Sequence, residues 1–563
     1  INNKTITEEM ITHEINSLIK TNYIFMGYLQ FANYMNKFIE YDVTKYTKED
    51  IIKLKKRKIK EIFDNRLIII DEVHNIRITT TENNDKSKTA KLLMEVAKYA
   101  DNMRLILMSA TPMYNSYEEI IWITNLMNIN DKRPTIKIND VFDNKGEFIK
   151  KNNKNGEELL KKKMTGYVSY VRGENPYLFP FRIYPTENNF YDGTYKHPIL
   201  QMNEKKIKKE NELKNVPVYL NRIGEYQEIG YNFIINNLKK KENFNNLNTF
   251  GYSLLQIPLE ALNIVYPNEF LPINENAEDL DENEIISSMV GKNGLSATMK
   301  YKETPNNQRY DFEYKTNEKI FHLDFLHKYS SKISNICNII KNTEGIILIY
   351  SQYIDGGCVP MALALEEMGF SRYGSQPNTK NLLKKSPTEK YKFSVDNKKY
   401  NANYVMITGD KAFSQNNDED IKYINKKENT NGELVKVIII SKAASEGIDL
   451  KNIRQIHILE PWYNLNRIEQ IIGRGVRNKS HCSLPFEKRN VEIFLHSTIL
   501  SNQEIEPADL YVYRLSEKKS IKIGKVTRLL KQISVDCILN TGQTNFTEEN
   551  MEKITENKNI IIK

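Results

Sequence analysis

Short aliphatic runs constrain this chain more than any other feature. They are Leu67-Ile68-Ile69-Ile70, Leu105-Ile106-Leu107-Met108, Ile346-Ile347-Leu348-Ile349-Tyr350, Val437-Ile438-Ile439-Ile440, Ile456-His457-Ile458-Leu459 and Val491-Glu492-Ile493-Phe494-Leu495. Each is mostly apolar and β-branched or Leu-rich, the pattern of a strand buried on both faces of a parallel sheet. Helical patterns fall between them, as over Thr89 to Ala100 and Met361 to Met368. Strand and helix in alternation predict an α/β fold. The runs form two groups, one before about residue 190 and one between about 330 and 500. A chain of 563 residues has room for about three to five domain-sized units. The expected division is a first lobe over 1–195, an insertion or accessory region over 196–330, a second lobe over 331–505 and a helical tail over 506–563. The middle region is charged and Asn-rich, helical over Asn211 to Lys241 and acidic from Glu275 to Glu284. No repeat with a period of 20–50 residues is present.

Composition excludes several classes. With 40% hydrophobic and 27% charged residues the chain is not disordered throughout. Cys337, Cys358, Cys482 and Cys537 are scattered, which gives neither a disulfide scaffold nor a CxxC zinc motif. No apolar run approaches the roughly 20 residues that span a bilayer, so no membrane partner is expected. The opening INNKTITEEM has no basic and apolar leader pattern, so secretion is not expected and the sequons at Asn3 and Asn545 read as coincidence. The net charge of +9 is mild, and allows a nucleic-acid partner without requiring one. Lys and Asn are abundant throughout, so the basic run from Lys53 to Lys60 reads first as a solvated helix face and second as a phosphate contact.

Four constellations carry chemistry. Leu67 to Ile70 deliver Asp71-Glu72-Val73-His74 at the strand's carboxyl edge, where open α/β sheets bind ligands. One acid there caps a helix in many proteins; two suit a metal ligand followed by a base that polarises water. The next run ends in Ser109-Ala110-Thr111-Pro112, either a turn with local hydroxyl bonds or, with His74, a relay between a nucleotide and a moving part. In the second group, Ser441 to Leu450 include Gly447, where backbone can approach a ligand, and Asp449, an acceptor for a ribose or an arginine. Ser441 is placed to meet a phosphodiester. Last, Arg467 to Arg477 place Arg474 and Arg477 at i, i+3, on one face if a helix persists, with Gln470 and Gly473 in register. Paired guanidiniums suit a triphosphate whose charge grows in the transition state; two surface arginines are the plain alternative.

Together these resemble the motifs of superfamily 2 helicases and translocases: DEVH as motif II, SAT as motif III, SEGIDL as motif V and QIIGRGVR as motif VI. Tyr350-Ser351-Gln352 resembles motif IV, and Thr408-Gly409 follow a strand where that family touches the nucleic-acid backbone. The stretches Tyr23 to Tyr28, Ser109 to Asn115, Gly166 to Pro176 and Glu460 to Asn464 resemble one branch. It is the helicase-like NTPases of nucleocytoplasmic large DNA viruses, the group of poxvirus nucleoside triphosphate phosphohydrolase I and the early transcription factor small subunit. The resemblance implies two RecA-like lobes with parallel sheets and DNA-dependent ATP hydrolysis in viral transcription. It implies Mg²⁺ and ATP between the lobes, with Asp71 on the metal, Glu72 activating water, and Arg474, Arg477 and Gln470 catalytic. His74, Gly447 and Asp449 would bind the nucleotide, Ser109, Ala110 and Thr111 would couple, and Ser351, Gln352, Thr408, Gly409 and Ser441 would grip DNA or RNA. Viral RNA polymerase or transcription factors are the implied partners, and the virion or host cytoplasm the implied location.

One element of the pattern is missing. A phosphate-cradling G-x-x-x-x-G-K-[ST] loop should precede DEVH, and the 563 residues contain none. Gly291-Lys292 and Gly524-Lys525 come after DEVH and lack the following hydroxyl, and the chain starts with Ile. Two readings stay open: a first lobe incomplete at its N-terminus, or a non-catalytic DNA-binding scaffold subunit. The intact acids and arginines favour the first, with poor ATP hydrolysis expected of residues 1–563 alone.

Overall fold

The computed structural model describes residues 8–39, 46–76, 85–151, 154–170, 177–245, 247, 252–271, 281–304, 308–375, 379–414, 416–442 and 447–540. The chain divides into two compact units. One is Ile1–Arg172 with Ile521–Lys563, and the other is Gly173–Ser520. Ala443 to Glu446, Arg172 to Pro176 and most of the acidic stretch before Asp281 lie outside the described residues.

The first unit holds β1 (Leu67–Ile70) and β2 (Arg104–Leu107), parallel and in register from Leu67↔Arg104 to Ile70↔Leu107. The helix Asp85–Tyr99 connects them, close to the expected span. The basic run lies on the helix Lys48–Phe63, capped by the Thr47 side chain. Its Ile59 and Phe63 are buried while Lys53, Lys56 and Arg57 face outward, as a solvated face should. One side of the sheet faces a core that includes Leu93, Val96, Trp122 and Leu126. The other side has no cover among the described residues: Leu67, Ile69, Ile106 and Met108 are each about half exposed. These two strands therefore depart from the expectation of burial on both faces.

The second unit is built on one sheet of eight parallel strands. They are β3 (Phe181–Ile183), β4 (Val218–Arg222), β5 (Ile346–Tyr350), β6 (Ser371–Arg372), β7 (Asn403–Ile407), β8 (Val437–Ile440), β9 (Ile453–Ile458) and β10 (Asn490–Ile499). The order is β6-β7-β8-β5-β9-β10-β3, and the long β10 pairs with β3 at its start and with β4 at its end. Every side chain of β5 and β8 is buried. Helices cover the sheet, which gives two cores on its opposite faces. At about 1.5–3 kcal/mol per buried large aliphatic, these central strands contribute much of the unit's stability.

The expected domain limits move in two ways. The boundary drawn at 195 falls at 172–173, because β3 joins the second sheet. The stretch 196–330 is no separate insertion, since β4 pairs with β10 and the helices Glu225–Lys239 and Gln256–Asn263 pack into the same unit. The tail is shared out as well. The helix Ala508–Gln532 begins in the second unit, and its later turns bring Ile523, Val526, Leu529 and Leu530 into the core of the first. Among the described residues no helix is long and apolar enough to cross a membrane.

Candidate functional site

In the first unit the acidic pair occupies a tight turn at the carboxyl end of β1. Glu72 adopts a left-handed backbone (φ 49°), which few non-glycine residues do and which recurs at functional turns. The turn is pinned from several sides. Val73 N–H donates to the Met108 carbonyl (3.0 Å), and Glu72 N–H donates to Asp71 Oδ1 (3.0 Å). The Tyr28 hydroxyl donates to the backbone carbonyl of Asp71. His74 is buried beneath, stacked on the Tyr114 ring (5.0 Å, 6°), with Nδ1 2.9 Å from Ser109 Oγ and 3.1 Å from Glu72 Oε2. Ser109 Oγ also accepts from Thr111 N–H (3.0 Å). The expected link between the acidic turn and the Ser-Ala-Thr turn is thus a direct bond from His74 to Ser109. Ala110 lies between the two hydroxyl residues, and Thr111 Oγ1 is buried with no hydrogen-bond partner among the described residues. Downstream, Glu119 accepts from Tyr114 and Asn115 N–H (2.7 and 3.1 Å) and holds the turn that carries the stacking ring.

In the second unit the carboxyl ends of β5, β8 and β7 surround a cleft of about 580 Å³, lined by Gln352, Ile354, Gly409, Asp410, Lys411, Ser441 and Lys442. The hydroxyls expected to touch a nucleic-acid backbone are turned inward: Ser351, Thr408 and Ser441 are 1–2% exposed. Each is spent on the protein. Ser351 Oγ donates to Glu460 (3.0 Å), and Thr408 Oγ1 donates to the Asp410 carbonyl (3.0 Å). Ser441 Oγ accepts from Gly409 N–H (3.3 Å). These three shape the floor, while Gln352, Gly409, Lys411 and Lys442 reach the opening.

The key to that floor is Glu460, 1% exposed, which accepts from Gln352 N–H (2.5 Å) and Asn263 Nδ2 (2.7 Å) as well as from Ser351. Burial raises its carboxyl pKa, against the pull of the Gln352 and Asn263 donors. Gly357 packs so closely behind Ser351 that a Cβ would lie 2.0 Å from Oγ. Sequence reasoning missed Glu460, Asn263, Lys411 and Lys442 as parts of this place. For the lysines a signal existed, a cation just past the end of a buried strand; for Asn263 none did.

The arginine pair sits at the end of the helix Leu465–Gly475, capped by the Asn464 side chain on Arg467 N–H (3.1 Å). Ile468, Ile471 and Ile472 face the core, and Gly475 packs on Ile453, where a Cβ would meet atoms at 3.1 Å. The helix stops there, so Arg477 lies beyond it and the expected shared helical face is not what joins the pair. Both guanidiniums instead converge on the Ile448 carbonyl (3.4 Å from Arg474, 3.5 Å from Arg477), and Arg477 also pairs with Asp449 (3.3 Å). Gly447, just upstream, has φ +78°, and an added Cβ would meet nothing within 4 Å among the described residues. Gln470 is half-buried one turn before Arg474.

The second unit's cleft lies at the carboxyl edge of an open parallel sheet, the edge where α/β folds bind their ligands. The model of the helicase conserved C-terminal domain matches residues 331–479. An Acanthamoeba polyphaga mimivirus protein named for ATP-dependent RNA helicase activity is 26% identical over 86% of this chain and 42% of its own length. Nucleoside triphosphatase I of Heliothis armigera entomopoxvirus is 26% identical over 84% of this chain and 62% of its own. The termination factor NPH-I homolog of African swine fever virus is 29% identical over 38% of this chain and 34% of its own. The chain is thus similar to viral superfamily 2 helicases and nucleoside triphosphatases, with the helicase C-terminal domain matched over residues 331–479. It spans 42% to 64% of the length of the first relatives it matches.

Proposed function

We propose that the chain is the motor region of an ATP-dependent, helicase-like translocase that acts on DNA in viral transcription, in the virion or the host cytoplasm. The observation that carries this reading is the turn at Asp71 and Glu72, held in a left-handed conformation and bonded through His74 to Ser109. Asp71 keeps Oδ2 for a divalent cation, and one carboxylate with substrate phosphates suits Mg²⁺, which retains waters and seldom takes an all-protein cage. When bound, the ion would neutralise phosphate charge. Glu72, half exposed, takes a proton from the attacking water, and His74 relays its position to Ser109. Arg474 and Arg477 supply positive charge to the phosphates.

Nucleic acid occupies the cleft at the ends of β5, β7 and β8. Lys411 and Lys442 meet phosphates there, so binding is sequence-indifferent and weakens steeply with salt. Viral RNA polymerase or transcription factors are the partners this role requires.

The test is DNA-stimulated ATP hydrolysis by the wild type and by Glu72→Gln. A shape-preserving change that removes the base should lower the rate by about 10²–10⁴. A variant as active as wild type would exclude Glu72 as the base. Because residues 1–563 alone are expected to hydrolyse ATP poorly, a weak DNA-stimulated rate that Glu72→Gln abolishes supports the motor. DNA binding that is fully functional in both proteins, with the same residual rate, favours the non-catalytic scaffold subunit.

A further inference from the structure

Arg309 opens the second strand of a hairpin, Met299–Glu303 with Arg309–Tyr314, in the middle region where the sequence offered no function. It is 6% exposed and stacks on the Phe413 ring (4.6 Å). Its guanidinium forks: Nη1 donates to Asp355 Oδ1 (2.5 Å) and Nη2 to Asp410 Oδ2 (3.4 Å). Those two carboxylates belong to different walls of the cleft. Asp355 sits in the turn after β5, next to Ile354, and Asp410 follows Gly409 after β7 and lines the opening itself. Glu260 and Glu460 are buried nearby, close enough to Asp355 and to each other that Glu260 feels both. Acidic groups thus crowd the floor of a cleft whose mouth carries Lys411 and Lys442.

We propose that Arg309 is a positioning residue for nucleic-acid binding: it locks the β5 and β7 loops together and cancels the carboxylate charge that would repel a phosphate backbone in the cleft. The inference rests on the reading of that cleft as the nucleic-acid path. Arg309 is buried behind the loops and makes no phosphate contact; its effect passes through Asp355 and Asp410. Two consequences separate this role from a direct contact. Loss of the guanidinium weakens binding by exposing charge, so neutralising Asp410 restores it. The slope of log affinity against log salt is unchanged, whereas loss of one direct phosphate contact lowers it by about 0.9.

The experiment measures binding of a single-stranded DNA oligonucleotide across a salt series, with thermal melts alongside. Arg309→Gln is expected to bind about tenfold more weakly at low salt with the wild-type slope. Arg309→Gln with Asp410→Asn is expected to recover most of that loss. Wild-type affinity in R309Q, a slope lowered by about 0.9, or no recovery in the double variant each overturns the proposal while leaving the cleft reading intact. Wild-type protein that binds no DNA overturns the cleft reading and this proposal with it. If R309Q does not fold, R309Q/D355N/D410N replaces it as an uncharged set of similar shape. A folded triple with wild-type affinity supports the proposal, and one that fails to bind overturns it.

Discussion

Ser351 illustrates how a single side chain changes meaning between sequence and structure. After a buried strand, a Ser-Gln pair reads as a hydroxyl and an amide offered to a phosphodiester. In the fold the hydroxyl points into the protein and completes the shell of Glu460, leaving Gln352 at the opening. Ser351→Ala should therefore cost about 1–3 kcal/mol in urea unfolding, the penalty for a buried carboxylate that loses a donor, with DNA affinity of the folded protein unchanged. A variant of normal stability that loses DNA binding would return Ser351 to the nucleic-acid path. A sharper case is Lys332, fully buried and paired with the equally buried Asp509 at 2.8 Å, with a further bond to the Leu459 carbonyl. Nothing near Lys332 in sequence announces that partner, 177 positions away. Removing the cation alone strands Asp509, so Lys332→Met is expected to destabilise by about 3–5 kcal/mol. An unfolding midpoint close to wild type would contradict this.

At the scale of elements, β9 and β10 were legible as strands because of their aliphatic residues, but their histidines were not legible as a system. His457 and His496 face each other across the two strands (3.0 Å), and the chain of bonds continues to Gln455 and Asn221. Burial lowers the His457 pKa from 6.5 to about 3. Below pH 6.5 the unfolded chain takes up a proton that the folded chain refuses, so the stability this residue supplies is complete above 6.5 and is lost as pH falls. Glu260 and Glu366, raised by burial to about 7, act in the opposite sense: their contribution is complete below 4.5 and lost as pH rises toward 7. The comparison must therefore be between variants. His457→Gln should gain about 1–2 kcal/mol relative to wild type between pH 6.5 and pH 5, read from urea melts. Parallel profiles would remove His457 from this account. In the first unit the bare face of β1 and β2 makes a different point. Leu67, Ile69, Ile106 and Met108 satisfy the strand pattern on both faces, yet one face has no cover among the described residues. Such a patch favours association. Threonine at Ile69 and Ile106 should reduce concentration-dependent light scattering; unchanged scattering would show that the patch is inert.

At the scale of the whole molecule, the chain leaves the first unit at Arg172 and returns to it at Ile521. The returning segment is structural. Val535 N–H donates to the Val168 carbonyl (2.8 Å), Asp536 accepts from Ser169 and Tyr170, and four apolar side chains of the long helix are buried. Truncation at Ser520 should thus lower the stability of the first unit by several kcal/mol, at about 1.5–3 kcal/mol per large side chain exposed, and make it protease-sensitive. A truncated chain that resists proteolysis like the full one would refute the shared core. The sequence by itself determined the α/β class, the central strands and the residues that end them. Aliphatic runs and the residues that end them are local patterns, and a strand must deliver its next residues at the sheet's edge. The tertiary structure alone decided which unit each segment joins and which polar groups face inward. It also decided that Arg474 and Arg477 meet at the Ile448 carbonyl and that Arg309 pairs with both Asp355 and Asp410. Those outcomes depend on pairings between residues far apart in the chain, whose energies come from burial and from hydrogen bonds that exist only once the sheet has assembled.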